Sequence, residues 1–341
     1  MNFLADCWNF IKKLGLIVAL ITTLIGGGWI ANHYDIAKAP TSARQLIVEG
    51  DNALNMGRYR DAQRIFEAEL KDNPQNKQAA WNLKIAKIGQ TLAQPGFKDA
   101  IDILYQQNPN DAHVNLFLGQ FYNANNQVDK AMQHYNAAIR QNWRLTDAYY
   151  NLALLYDQLG NYEAAKVESL RAINLSPTAK YRNNLGTIYF KEKNYEQAIG
   201  EYSRNKKYPL SALESAKIYW RLEYLSQALS YQKQAIEWLE DKALMAEAEN
   251  EDAWHFEIAP GKEVELMTLD EKKSYGYLCL SVSLFLQGYE EGAASMVKKS
   301  QDLNVVRQFK INALLTADLD ALILSNDNFS KQATAFKALF L

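Results

Sequence analysis

Four histidines, two cysteines and a late run of acidic side chains are the residues of this chain whose chemistry could reach beyond packing. The histidines (His33, His113, His134 and His255) are scattered. A zinc protease places two histidines four apart on one helix face around a glutamate, and a serine hydrolase frames its nucleophile with glycines on a tight turn. Neither spacing occurs, nor does a phosphate-cradling glycine loop. Each histidine therefore reads as solvated or structural. Cys7 and Cys279 stand at opposite ends of the chain, without the Cys/His spacing of a metal site. No catalytic residue, metal, cofactor or small-molecule substrate is expected. The formal net charge of −2 argues against a general nucleic-acid partner, which would normally meet a basic surface.

The elements that hold these residues are announced by a phrase that returns about every 34 residues. It reads Leu118, Gly119, Tyr122, Ala131, Tyr135 and Ala138, then Leu152, Tyr156, Ala165, Ala172 and Pro177, then Leu185, Gly186, Tyr189, Ala198 and Tyr202. Small residues let two helices approach, and the large ones fill the space between them. Each helix pair then has an apolar face it cannot bury alone, so neighbouring pairs must stack. Asn126-Gln127, Gly160-Asn161 and Lys193-Asn194 fall where one helix hands over to the next, and Gly and Asn tolerate left-handed backbone there.

These residues resemble the tetratricopeptide repeat (TPR) family, whose phrase is Leu-Gly-x-x-Tyr on a first helix and spaced alanines on a second. The resemblance covers most of residues 43–304, in windows 43–76, 78–110, 112–145, 146–178, 179–208, 209–240 and 273–304. It implies an all-α, TPR-type helical solenoid, a right-handed superhelix of about seven helix pairs. In this family the concave face is lined by set positions of each first helix. By register these are Arg44 and Asp51, then His113, Gln120 and Asn123, then Asp147, Tyr150 and Asp157, then Lys180, Asn183, Thr187 and Lys191. Such a mixed polar strip suits an extended peptide or a partner helix, and it equally suits an ordinary solvated face. The family's clamp for chaperone C-termini is incomplete here. Asn151 and Lys180 match it, but Leu116, Gln120 and Asn184 replace its other members.

Two segments break the repeat. Residues 14–31 form an uninterrupted run of 18 residues without a charge, after Lys12-Lys13 and with Trp29 near the far end. That length can span a bilayer, and the preceding lysines favour an N-terminus inside with the repeats exported. The segment reads as an uncleaved anchor between a short N-terminal stretch, 1–13, and a linker, 32–42. It would separate the two cysteines, so a disulfide between them is not expected. Residues 241–272, between six repeats at 43–240 and a degenerate seventh at 273–304, carry ten carboxylates against three lysines. They read as a helix extension with a loop, or as a docking element anchored by Trp254 and Phe256, since Trp is favoured in interface hot spots. Residues 305–341 keep apolar helical spacing and read as capping helices. The whole predicts a non-catalytic, membrane-tethered scaffold that binds other proteins. It would be a single-pass protein of a bacterial inner membrane with periplasmic repeats, assembling or stabilising a cell-envelope complex. The alternative is a stoichiometric accessory subunit of a large membrane enzyme, secretion or pilus complex.

Overall fold

The computed structural model describes residues 41–92, 94–205, 207–241, 244–245, 255–256, 265–325 and 327–341. The anchor expected at 14–31, its flanks up to residue 40, Cys7 and Trp254 lie outside them. Among the described residues no helix is long and apolar enough to cross a membrane.

Helices follow one another in consecutive pairs: α1 (Thr41–Asn55) and α2 (Tyr59–Asp72), α3 (Lys77–Gly89) and α4 (Phe97–Gln107), α5 (Ala112–Ala124) and α6 (Val128–Gln141). Then come α7 (Thr146–Gln158) and α8 (Tyr162–Leu175), α9 (Ala179–Lys191) and α10 (Tyr195–Ser203), α11 (Pro209–Arg221) and α12 (Leu225–Glu240). After the break follow α13 (Leu269–Leu286) and α14 (Glu290–Asp302), then α15 (Gln308–Ser325) and α16 (Asp327–Phe340). The architecture is an all-α helical repeat. It divides into two compact units, Met1–Leu54 with Tyr59–Lys87, and Asn55–Arg58 with Ile88–Leu341.

The repeat phrase works as a glycine–ring contact. Tyr135 and Tyr202 are fully buried on the second helix of their pairs, and Gly119 and Gly186 present bare backbone to those rings. Gly50 and the buried Phe66 make the same contact in the first unit. Tyr122 and Tyr189, expected as filling between helices, are only half-buried. Tyr122 stacks on His134 with ring centroids 5.3 Å apart, and His134 Nδ1 lies 3.0 Å from Asn115 Oδ1. That histidine is structural.

The hand-over between paired helices is left-handed at one recurring position. Gly57, Gly160 and Gly288 hold it at φ of 70°, 72° and 82°, and Asn126 at 55°. Lys193 and Glu223 hold it at 62° and 65°, although their Cβ atoms make that conformation costly by about 1–2 kcal/mol. Lys193→Gly is therefore expected to raise stability by about 1 kcal/mol, read as a higher urea midpoint at unchanged slope.

The break is shorter than 241–272. Helix α13 starts at Leu269, because Thr268 and Glu271 close a reciprocal capping box around its first turn. Glu271, counted above among the acidic residues of the break, is buried and paired with Arg307. The break also contains an antiparallel pair of short strands, β1 (His255–Phe256) and β2 (Glu265–Leu266), with Phe256 opposite Glu265.

The C-terminal pairs share an extensive core. It runs from Ala212 through Trp220, Leu239, Tyr275, Val282 and Leu315 to Phe336. Trp220 is 1% exposed and donates its indole N–H to Ser283 Oγ at 2.6 Å.

Candidate protein-binding groove

A residue on the first helix of one pair has its counterpart 33–34 positions later on the first helix of the next. Asp147 with Lys180 and Asp157 with Lys191 use that geometry to bond, and Asn183 and Thr187 bond to neighbours outside the expected set. Asp147 on α7 is buried and accepts from Lys180 Nζ at 3.0 Å and Tyr181 OH at 3.0 Å, both on α9. Asp157 Oδ2 accepts from Lys191 Nζ at 2.6 Å. Asn183 Oδ1 accepts from Ser211 Oγ on α11 at 2.9 Å, and Thr187 lies 3.2 Å from the Tyr202 hydroxyl. Tyr150 caps this ladder. Lys180 Nζ sits 4.4 Å from its ring centroid, and the Tyr181 ring is 5.2 Å away. Burial works against the Lys180 ammonium, but Asp147 and the Tyr150 ring beside it prevail, so its pKa is raised.

On α5, His113, Gln120 and Asn123 are half-buried. The side chain of Asp111 caps this helix, accepting from the backbone N–H of His113 and Val114 at 2.9 and 3.0 Å. Burial lowers the pKa of His113, with Asp111 and Asp147 opposing. In the first unit Asp51 accepts from Asn82 Nδ2 at 2.7 Å and Gln78 Nε2 at 3.4 Å. Arg44 falls on α1, and its side chain lies outside the described residues, as does that of Phe256 on β1.

Burial pushes the Asp51 carboxyl from 3.8 up to about 6, against the bond from Asn82. The folded state therefore holds a proton that the unfolded chain has released between these values. Stability contributed by Asp51 is full below pH 4 and is lost as pH rises through 6. Asp51→Asn is expected to abolish that fall, seen as a smaller difference between denaturant midpoints at pH 4 and pH 7 than in the parent.

The strip has a boundary that register alone does not show. Helix α15 packs directly on α11 as well as on α13. Lys217 on α11 reaches Asp318 on α15 at 3.0 Å and Glu214 at 2.8 Å, and the Tyr275 hydroxyl on α13 donates to Asp318. First helices two pairs apart thus touch. Cys279 lies buried behind this cluster, and burial, with Asp318, pushes its thiol well above the usual range, so it is no nucleophile.

Tyr181, Ser211 and Lys217 were not among the expected site residues. Tyr181 was findable, because it stands 34 residues after Asp147 in the same register. Lys217 was not, because its partner lies across the break. What remains on α5, α7 and α9 is a strip whose charges are largely neutralised in place, with the Tyr150 ring half-buried between Lys180 and Tyr181 and amide groups beside it. Such a strip can hold a chain through apolar contact and neutral hydrogen bonds.

Models of the tetratricopeptide repeat match residues 146–178 and 179–203, and, in a second form of the same repeat, residues 47–83 and 96–145. Tetratricopeptide repeat protein 6 of Homo sapiens is 28% identical over 148 residues, 42% of this chain and 28% of that protein. The Hsp70-Hsp90 organizing protein of Triticum aestivum is 35% identical over 80 residues, 23% of this chain and 14% of that protein. The chain thus covers less than a third of the length of either relative. Among solved structures, the APC/C hetero-tetramer Cut9-Hcn1 aligns with a TM-score of 0.53 at 14% identity, over 91% of this chain and 58% of that one. At that identity the likeness is one of fold.

Proposed function

We propose that this chain, which carries tetratricopeptide repeats, is a non-catalytic scaffold that binds other proteins along the strip on α5, α7 and α9. The observation that carries this reading is the ladder Asp147–Lys180–Tyr150. It neutralises the buried charges and holds the half-buried Tyr150 ring against Lys180 and Tyr181, beside the amides of Gln120 and Asn123. A ligand end bearing one charge would find no free counter-charge on Lys180, which speaks against capture of a C-terminal carboxylate. Leu116 and Asn184, at the other clamp positions, are buried, and Asn184 is engaged by Ser169 Oγ at 2.8 Å. The ligand is instead a peptide segment or helix of a membrane-complex subunit.

Residues 14–31 tether the scaffold to a bacterial inner membrane, with the N-terminus cytoplasmic and the repeats periplasmic, where it serves the assembly or stabilisation of an envelope complex. The length and apolarity of that run and the lysines before it support the tether. A reporter fused after residue 341 should be active only if it is an exported enzyme; activity of a cytoplasm-dependent reporter there would reverse the orientation. Asn123→Glu and Tyr150→Glu should each abolish recovery of the protein's partners from detergent extracts, and the Asn123 variant, which leaves the Tyr150–Lys180–Tyr181 packing in place, should keep the melting curve of the parent. Unchanged recovery would refute the groove as the binding surface.

A further inference from the structure

One of the turns between paired helices is docked where the others are open. Gly57, Gly96, Gly160 and Gly288 each stand at positive φ between two helices of a pair. Around Gly96, Gly160 and Gly288 an added Cβ would meet nothing within 4 Å. At Gly57 it would collide with Asp147 Oδ2, so the turn Asn55–Arg58 lies pressed on a buried carboxylate of the strip. This turn belongs to the same compact unit as α5, α7 and α9. A side-chain bond holds it there. Asn142, at the end of α6, donates from Nδ2 to Asn55 Oδ1 at 2.8 Å. Asp147 thus divides its oxygens, Oδ1 to Lys180 and Tyr181 and Oδ2 to the backbone of Gly57.

We infer that the turn Asn55–Arg58 is a built-in occupant of the strip, which a partner segment must displace from Asp147 to bind. The inference rests on the strip being the binding surface. The turn is an incomplete occupant. His113 Nε2, Gln120 Oε1 and Asp157 Oδ1, all on expected strip residues, are buried and have no hydrogen-bond partner. Buried polar atoms without partners are rare in folded proteins, and the docked turn satisfies none of these three. An extended segment laid along α5 and α7 brings backbone N–H groups that Gln120 and Asp157 can accept. A partner thereby makes bonds that the turn does not, while its arrival breaks the Asn142–Asn55 bond and the packing of Gly57 on Asp147. The occupied state taxes binding in proportion to its population. A turn docked about nine-tenths of the time lowers the apparent affinity for a partner about tenfold.

The test locks the turn and releases it. Asn55→Cys with Asn142→Cys, in a full chain that also carries Cys7→Ser, sets two thiols where the two amides now meet. A bis-methanethiosulfonate with a one-carbon spacer should link them within one chain, as peptide mapping would show, and reduction should undo the link. A neutral photo-crosslinking side chain at Asn123 then reports capture of partners from detergent extracts. The linked form is expected to capture at least about tenfold less than the same protein after reduction, which serves as its own control for folding. Gly57→Asp, which sets a carboxylate against Asp147, should raise capture about tenfold over the parent when the partner is limiting, and Asn142→Ala should raise it less. A cysteine pair that does not link, or equal capture from the linked, reduced and Gly57→Asp proteins, overturns the inference and leaves the strip in place. No capture from Asn123 in any form refutes the strip itself, and this inference with it.

Discussion

Trp220→Ala is expected to destabilise the chain by about 3–5 kcal/mol, the cost of emptying a large aromatic site in a core that cannot collapse onto it. Two features put Trp220 at the upper end of that range. The side chain is 1% exposed at the centre of the cluster that joins α11 to α13, α15 and α16. Its indole N–H also satisfies Ser283, which is itself fully buried. Alanine therefore leaves a cavity and removes the partner of a buried hydroxyl, which costs about a further 1–3 kcal/mol wherever water cannot enter. Trp220→Phe separates the two terms, since it keeps most of the volume and loses only the donor. In urea melts the order of midpoints should be parent, Trp220→Phe, Trp220→Ala. Equal midpoints for the parent and Trp220→Ala would mean that the C-terminal pairs do not share one core.

Gly119→Ala carries the second large effect, a net loss of about 2 kcal/mol. Alanine is the better helix former by about 1 kcal/mol, so an exposed helical glycine would gain from this change. Here an added Cβ would lie 2.5 Å from the Tyr135 ring, and that ring is fully buried on α6. The ring has no free space to enter, so the two helices must part, at an overpacking cost of about 1–3 kcal/mol at the severe end. Gly200 on α10, where an added Cβ meets nothing within 4 Å, is the control. Gly200→Ala should be neutral or stabilising. A Gly119→Ala protein as stable as its parent would remove the glycine–ring contact from the account of why this spacing recurs.

The recurring phrase made the helix pairs and most of their turns readable, because Gly119, Tyr135, Gly186 and Tyr202 serve contacts that are local in sequence. Three features were hidden for physical reasons. Lys193 and Glu223 take the left-handed turn position by tertiary force, against their own preference. The start of α13 at Leu269 rests on Thr268 and on the buried Glu271, which looked like part of a solvated run until its partner Arg307 came from 36 residues on. The contact of α11 with α15 depends on Lys217 meeting Asp318 across the break, beyond the reach of any period. The groove residues themselves were placed by register. That Asp147 and Lys180 neutralise each other follows only when the 33-residue offset is read as a contact between first helices of successive pairs.

A paired strip reads ligands differently from an open row of charges. Raising the salt concentration should weaken binding little, because Lys180 and Lys191 are committed to Asp147 and Asp157 and release few counterions to a partner. Contact with Tyr150 and neutral hydrogen bonds would carry the affinity.

Photo-crosslinking in cells, followed by mass spectrometry, tests whether other proteins lie along α5, α7 and α9. The crosslinking side chain is placed singly at Asn123, Tyr150 and Lys191 and, for comparison, at Val167 and Leu170, which are exposed on α8. The three strip positions should capture the same partner while the α8 positions do not. Capture from Val167 and Leu170 with none from Asn123, Tyr150 and Lys191 would contradict it.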